Sequence, residues 1–286
     1  MEKVIPFKSA SQNTFRLGSP PIPREHGAWV ILYVPFLIGL ATAWPPPALP
    51  ALLLFVAISG TYLARHAASV LLRKNGLRAQ ESAFWLGIYT TLLAAGGLPL
   101  LFFYHRVDLL PLAGLAALIY LLHIAIGKLP MRNRLLRAQW NELVGMTALT
   151  LTAPAAYVAS GGQLGGMAWC LWSGCALFFG SGVLHLRMLI FAAKEKQELG
   201  TADRWRLGWG NLLYHALLMV AVFFSASHLP VRSAMLLWLG FLPIVVRAVD
   251  GTITLSNIAP SFKKCGWIET GYALWFMLCF IGALHS

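Results

Sequence analysis

Residues 107–137 read VDLLPLAGLAALIYLLHIAIGKLPMRNRLLR. The run 107–127 is long and apolar enough to cross a bilayer, which takes about 20 residues. The stretch behind it carries Lys128, Arg132, Arg134 and Arg137. An apolar run followed by a short basic loop predicts a membrane helix whose loop stays on the cytoplasmic side.

The same alternation recurs along the whole chain. Nine apolar runs fall at about 27–43, 49–72, 82–103, 107–127, 141–160, 166–192, 207–227, 232–250 and 266–284. The 286 residues are 58% hydrophobic and 11% charged, against about 25% charged in a soluble domain. Mean hydropathy is +0.68. The expected fold is therefore an all-α integral membrane protein of about nine helices. Residues 1–25 form a cytoplasmic N-terminal segment and 26–286 one polytopic membrane domain. The polar stretch Ser9 to Asn13 follows the first charges, so a cleaved signal peptide is not expected.

The net charge of +12 invites a nucleic-acid reading, but its placement excludes one. Twenty of the 22 Lys and Arg residues fall on one side of the nine-helix map, and only Arg106 and Arg232 on the other. That is the positive-inside pattern, with the N-terminus in the cytoplasm and the C-terminus outside an inner (cell) membrane. Cys170, Cys175, Cys265 and Cys279 contain no CxxC pair and read as small buried thiols.

Polar groups inside apolar runs are expensive and by default face a cavity or a partner. In the second run, Tyr62, Arg65, His66, Ser69 and Arg73 share one helical stripe. Arg73 can snorkel from the helix end, whereas Arg65 lies about two turns deeper. The sixth run carries Ser181, His185 and Arg187 in its inner half. Arg65, His66, His185 and Arg187 are therefore the candidate ligand-binding residues, expected to converge on one anionic group. Glu25, His26, Asn141 and Glu142 lie on the same side and join them. Glu25 also sits where a helix dipole favours an anion, Asp250 is placed to pair with Arg247 three residues earlier, and Glu269 lies near Lys263 and Lys264. His123 and His215 lie inside spans, and haem ligation by the two would require facing helices at matching depth. No metal site or cofactor is expected, and no catalytic residue is assigned.

The segment Pro23 to Trp29, running into Val34-Pro35-Phe36-Leu37-Ile38-Gly39, resembles the opening signature of the YwiC-like family, as does Gly266 to Thr270. That resemblance implies a polytopic membrane protein. More distantly, Leu129-Pro130 through Arg134, Trp140 to Gly145, and Ala153-Pro154 resemble the UbiA-type prenyltransferases, whose nine helices bind a prenyl diphosphate through magnesium held by two Asp-rich motifs. Those motifs would fall at Tyr62, His66 and Val70 and at Ser181 and His185, where this chain has no Asp. Mg²⁺ needs oxygen ligands, so any activity would be a degenerate prenyltransferase-like one. The combined expectation is a UbiA-like bundle whose basic cytoplasmic-side cavity binds an isoprenoid- or quinone-type membrane lipid. Transport of a small anion and assembly of a membrane complex stand as alternatives, and protein partners are left open.

Overall fold

The computed structural model describes residues 20–23, 26–72, 77–130 and 133–286. Among them the chain forms ten helices: α1 His26–Thr42, α2 Ala48–Leu71, α3 Leu77–Phe102, α4 Leu109–Lys128, α5 Arg134–Thr150, α6 Thr152–Ala159, α7 Gly166–Ala192, α8 Thr201–Ala226, α9 Val231–Ile253 and α10 Phe262–His285. Among the described residues eight spans are long and apolar enough to cross a membrane, with α5 and α6 counting as the single span Arg134–Ala159, and α1 is a shorter apolar helix. The chain is a multi-pass, all-helical membrane protein, with eight or nine spans among the described residues against the nine expected.

The fifth span is broken because Pro154 has no N–H for the Thr150 carbonyl. The Leu151 N–H tightens onto Ala148 instead. Thr152 Oγ1 then donates to the Leu32 carbonyl of α1 at 2.8 Å, pinning the break to a neighbouring helix.

Several spans begin earlier than their apolar cores. α5 starts at Arg134 rather than near 141, capped by the Asn133 side chain, which accepts from the Leu135 and Leu136 amides at 3.0 and 3.1 Å. α8 starts at Thr201 rather than 207, and α10 at Phe262 rather than 266. In each case the extra turn carries cations that hydropathy assigns to a loop. Such turns stay helical because polar side chains at a span end lie in the headgroup region.

The centre is built on α1 and α7. α1 packs on α5, α6, α7 and α10, and α7 on α5, α6, α8, α9 and α10. Phe178, Phe241, Phe276 and Phe280 fill the α7–α9–α10 junction, with Phe178 and Phe276 stacked at 4.1 Å between centroids. α2 and α3 form a tight hairpin through Gly60 and Gly96. A Cβ on Gly60 would lie 2.7 Å from the Leu93 nitrogen and 2.8 Å from the Tyr89 carbonyl, so close backbone approach needs glycine there. This hairpin joins the body through Phe36, Leu54, Leu100, Ala156 and Ala159.

Trp44, Trp140, Trp205, Trp209 and Trp267 are exposed, as an interfacial belt requires. Trp29 departs from that belt. It turns inward, edge-on to Tyr62 at 4.8 Å and stacked on Tyr33 at 5.7 Å. α4 is peripheral, packing on α5 and to a lesser extent on α6.

Candidate functional site

The polar side chains at the basic end of the spans fall into two rows, divided by α7. Arg187 lies five residues before the end of α7, about 8 Å along the axis. Its guanidinium donates from Nε to Glu142 Oε2 at 2.7 Å and from NH2 to Glu142 Oε1. This two-pronged geometry is the strong form of an Arg–carboxylate contact. Glu142 stands on α5, so the pair ties α5 to α7. It also confirms that the start of the fifth span and the end of the sixth share one end of the bundle.

Residue 141 continues this row onto α4. The His123 Nδ1 donates to the Asn141 carbonyl at 2.9 Å, since a carbonyl can only accept. Nε2 is then the acceptor, and Asn141 Nδ2 faces it at 3.5 Å. The Asn141 Oδ1 is buried without a hydrogen-bond partner among the described residues. Gly145 makes room for this contact, because a Cβ there would sit 3.1 Å from His123 Nδ1. The His123 ring stacks on Tyr120 at 6.2 Å and 17°. Over the Tyr120 ring lies the Arg65 guanidinium, 5.4 Å from the centroid. Arg65, on α2, thus reaches across to α4, and it has no carboxylate partner among the described residues. Its neighbour His66 is half-buried on the same helix.

The first row therefore runs Arg65, Tyr120, His123, Asn141, Glu142, Arg187. It brings together four of the expected residues, from three helices, through two α4 side chains, His123 and Tyr120, that were not among the expected ligand-binding residues. His185 does not join them. Two residues from Arg187, it points about 200° away around the helix, and its ring abuts Gly251 of α9. Of His26 only the backbone is described, as the first residue of α1, and Glu25 lies outside the described residues.

The second row lies among α7, α8, α9 and α10. Arg247 is 8% exposed. It is paired with Glu269 of α10, donates to Ser181 Oγ at 3.0 Å, and lies over the Tyr272 ring at 5.5 Å. Asp250, the partner suggested by sequence spacing, is exposed and unused by Arg247. Glu269 turns to Arg247 rather than to Lys263 or Lys264. Buried Asn211 and His215 of α8 complete the row, the His215 Nδ1 donating to the Asn211 carbonyl at 2.7 Å. His123 and His215 belong to different rows, on helices that pack on different neighbours.

Both interior arginines beside α7 are thus matched by a carboxylate. Among the described residues the interior charges beside α7 are balanced at this depth, and Arg65 lies over an aromatic ring without a carboxylate. Sequence offered one signal for the Arg247–Glu269 link. Each lies six or seven residues inside its span, so opposite charges stand at equal depth on consecutive helices.

Comparison with known proteins agrees with the signature at the first helix. The family described as YwiC-like protein matches residues 22–157. The uncharacterized protein YwiC of Bacillus subtilis is 27% identical over 233 residues, covering 79% of this chain and 84% of that one. No solved structure matches. Five of the six members of the first row lie within the family match; Arg187 and the second row lie beyond it. Through residues 22–157 this chain is similar to the YwiC-like family, and to that relative over most of its length.

Proposed function

We propose that this protein sits in the cell (inner) membrane, N-terminus in the cytoplasm and C-terminus outside, and holds a membrane lipid of isoprenoid or quinone type by its polar head at the cytoplasmic end. The orientation rests on the one-sided placement of Lys and Arg. The observation that carries the lipid reading is Arg65. It is a guanidinium about 9 Å inside α2, laid on an aromatic face, with no carboxylate to neutralise it among the described residues. An anionic or oxygen-rich head would supply the acceptors that Arg65 lacks.

The hydrocarbon tail would lie along α2 and α4, where Leu118, Leu121 and Leu122 are exposed to the bilayer. A fixed charge on an aromatic ring is worth about 0.5–2 kcal/mol, so a charged head group outcompetes the ring alone. The matched charges of Arg187 and Arg247 weigh against a net-basic path for free anions. The reading does not depend on the likeness to prenyltransferases, and it assigns no bond-breaking step.

The test is lipid analysis of protein purified in mild detergent, beside an Arg65→Ala variant. An isoprenoid or quinone enriched with the native protein and reduced at least fivefold in the variant supports the reading. Equal and background-level lipid in both overturns it.

A further inference from the structure

The second row has a property that the lipid reading does not use. The His215 Nε2, Asn211 Oδ1, His185 Nδ1 and Arg247 Nε atoms are all buried, and none has a hydrogen-bond partner among the described residues. His215 is 3% exposed, Asn211 4% and Arg247 8%. Since the His215 Nδ1 proton is committed to the Asn211 carbonyl, Nε2 presents a bare lone pair. Asn211 Oδ1 is also an acceptor, Arg247 Nε is a donor, and His185 Nδ1 can be either. Leaving a buried donor or acceptor unpaired costs its full desolvation, and buried polar atoms in folded proteins are paired with protein or water almost without exception.

These atoms converge by helical register. Ser181, His185 and Met188 share a face of α7, and Gly208, Asn211 and His215 share a face of α8. Thr252 and Gly251 of α9 close the space: Gly208 makes room for the Thr252 side chain, and Gly251 for the His185 ring. The Asn211 amide and the Thr252 hydroxyl both approach Met188 Sδ, at 3.8 and 3.5 Å. The ionisable groups packed here from four helices are His185, Tyr214, His215, Arg247, Glu269 and Tyr272. Arg247 is already balanced by Glu269. A neutral ligand able both to donate and to accept therefore fits best, which is the chemistry of water.

We propose that the α7–α8–α9–α10 cluster is a hydrated inlet that opens at Glu269 and ends at His215. Its ligand is a short chain of bound water, which gives the His215 imidazole proton exchange with bulk solvent from about 21 Å inside α8. Glu269, half-exposed at the mouth, connects the chain to solvent. The inference stands independently of the lipid site, since none of its residues belongs to the first row.

The test is thiol reactivity in nanodiscs, with Cys170, Cys175, Cys265 and Cys279 replaced by alanine. The cysteine thiolate attacks the sulfenyl sulfur of a methanethiosulfonate and expels methanesulfinate, and the thiolate forms only where water reaches it. Ser181→Cys should react with methanethiosulfonate ethylammonium at least tenfold faster than Leu213→Cys, an exposed site at similar depth on α8. Equal, slow rates overturn the inlet. Should Ser181→Cys not fold, X-ray radiolysis of the unsubstituted protein decides. Hydroxyl radicals born from internal water should oxidise Met188, which is 3% exposed, while an unoxidised Met188 contradicts the proposal.

Discussion

Glu142 and Arg187 stand 45 residues apart in sequence and meet as a two-pronged ion pair between α5 and α7. The arginine is 12% exposed and the carboxylate 46%, so the pair lies where protein gives way to headgroups. Breaking it from the carboxylate side strands a mostly buried cation. Glu142→Ala is expected to lower stability by about 1–3 kcal/mol, less than for a fully buried pair because Glu142 reaches solvent. The double variant Glu142→Leu/Arg187→Met should lose less than the sum of its single changes, by about 1–2 kcal/mol of coupling. Thermal unfolding in a single detergent, run as a double-mutant cycle, reads this. Strict additivity would show that the pair is energetically idle.

The α2–α3 hairpin depends on glycine at two contacts. Gly60→Val would drive a branched side chain into the Leu93 amide and the Tyr89 carbonyl. Backbone cannot move aside as a side-chain tip can, so a loss of about 2–3 kcal/mol or more is expected. Gly87 on α3, where an added Cβ meets nothing within 4 Å, is the matched control. Gly87→Ala should leave monodispersity and melting temperature within error of the native protein.

Tyr120 separates ring from hydroxyl in the support of Arg65. Tyr120→Phe keeps the π-face and should retain lipid occupancy within about twofold. Tyr120→Leu removes it and should lower occupancy about two- to fivefold, corresponding to the 0.5–1 kcal/mol of an exposed cation–π contact. Native mass spectrometry of the two variants provides the comparison. If both behave alike, the ring does not position the arginine.

Orientation is checked with single cysteines in a cysteine-free background. A membrane-impermeant maleimide applied to intact cells should label His228→Cys and leave Lys196→Cys unlabelled until the membrane is opened. The reverse pattern would invert the topology drawn from the charge asymmetry.

Much of the architecture is legible in the residues, for physical reasons. Span number follows from apolar length, because lipid admits a backbone only when its hydrogen bonds are satisfied internally. Span ends are less legible, since Arg134, Arg137, Arg204 and Arg206 sit in helical turns that hydropathy reads as loop. The depth of Arg65, Arg187 and Arg247 is visible in sequence, but their partners are not. Spacing within one helix suggested Asp250 for Arg247, whereas tertiary packing supplies Glu269 from the next helix. His185 and Arg187, adjacent in the chain, face opposite ways because two residues advance a helix by about 200°. His123 looked isolated because its partner, the Asn141 carbonyl, is backbone and carries no sequence signal.

The most direct test of the central claim is a cryo-EM map of the protein in native-lipid nanodiscs, read at Arg65 between α2 and α4. The account predicts an elongated density whose head lies within hydrogen-bonding distance of the Arg65 guanidinium and close to Asn141. A map in which a carboxylate of the chain, such as Glu25, engages Arg65 and no lipid density stands beside it would contradict the account.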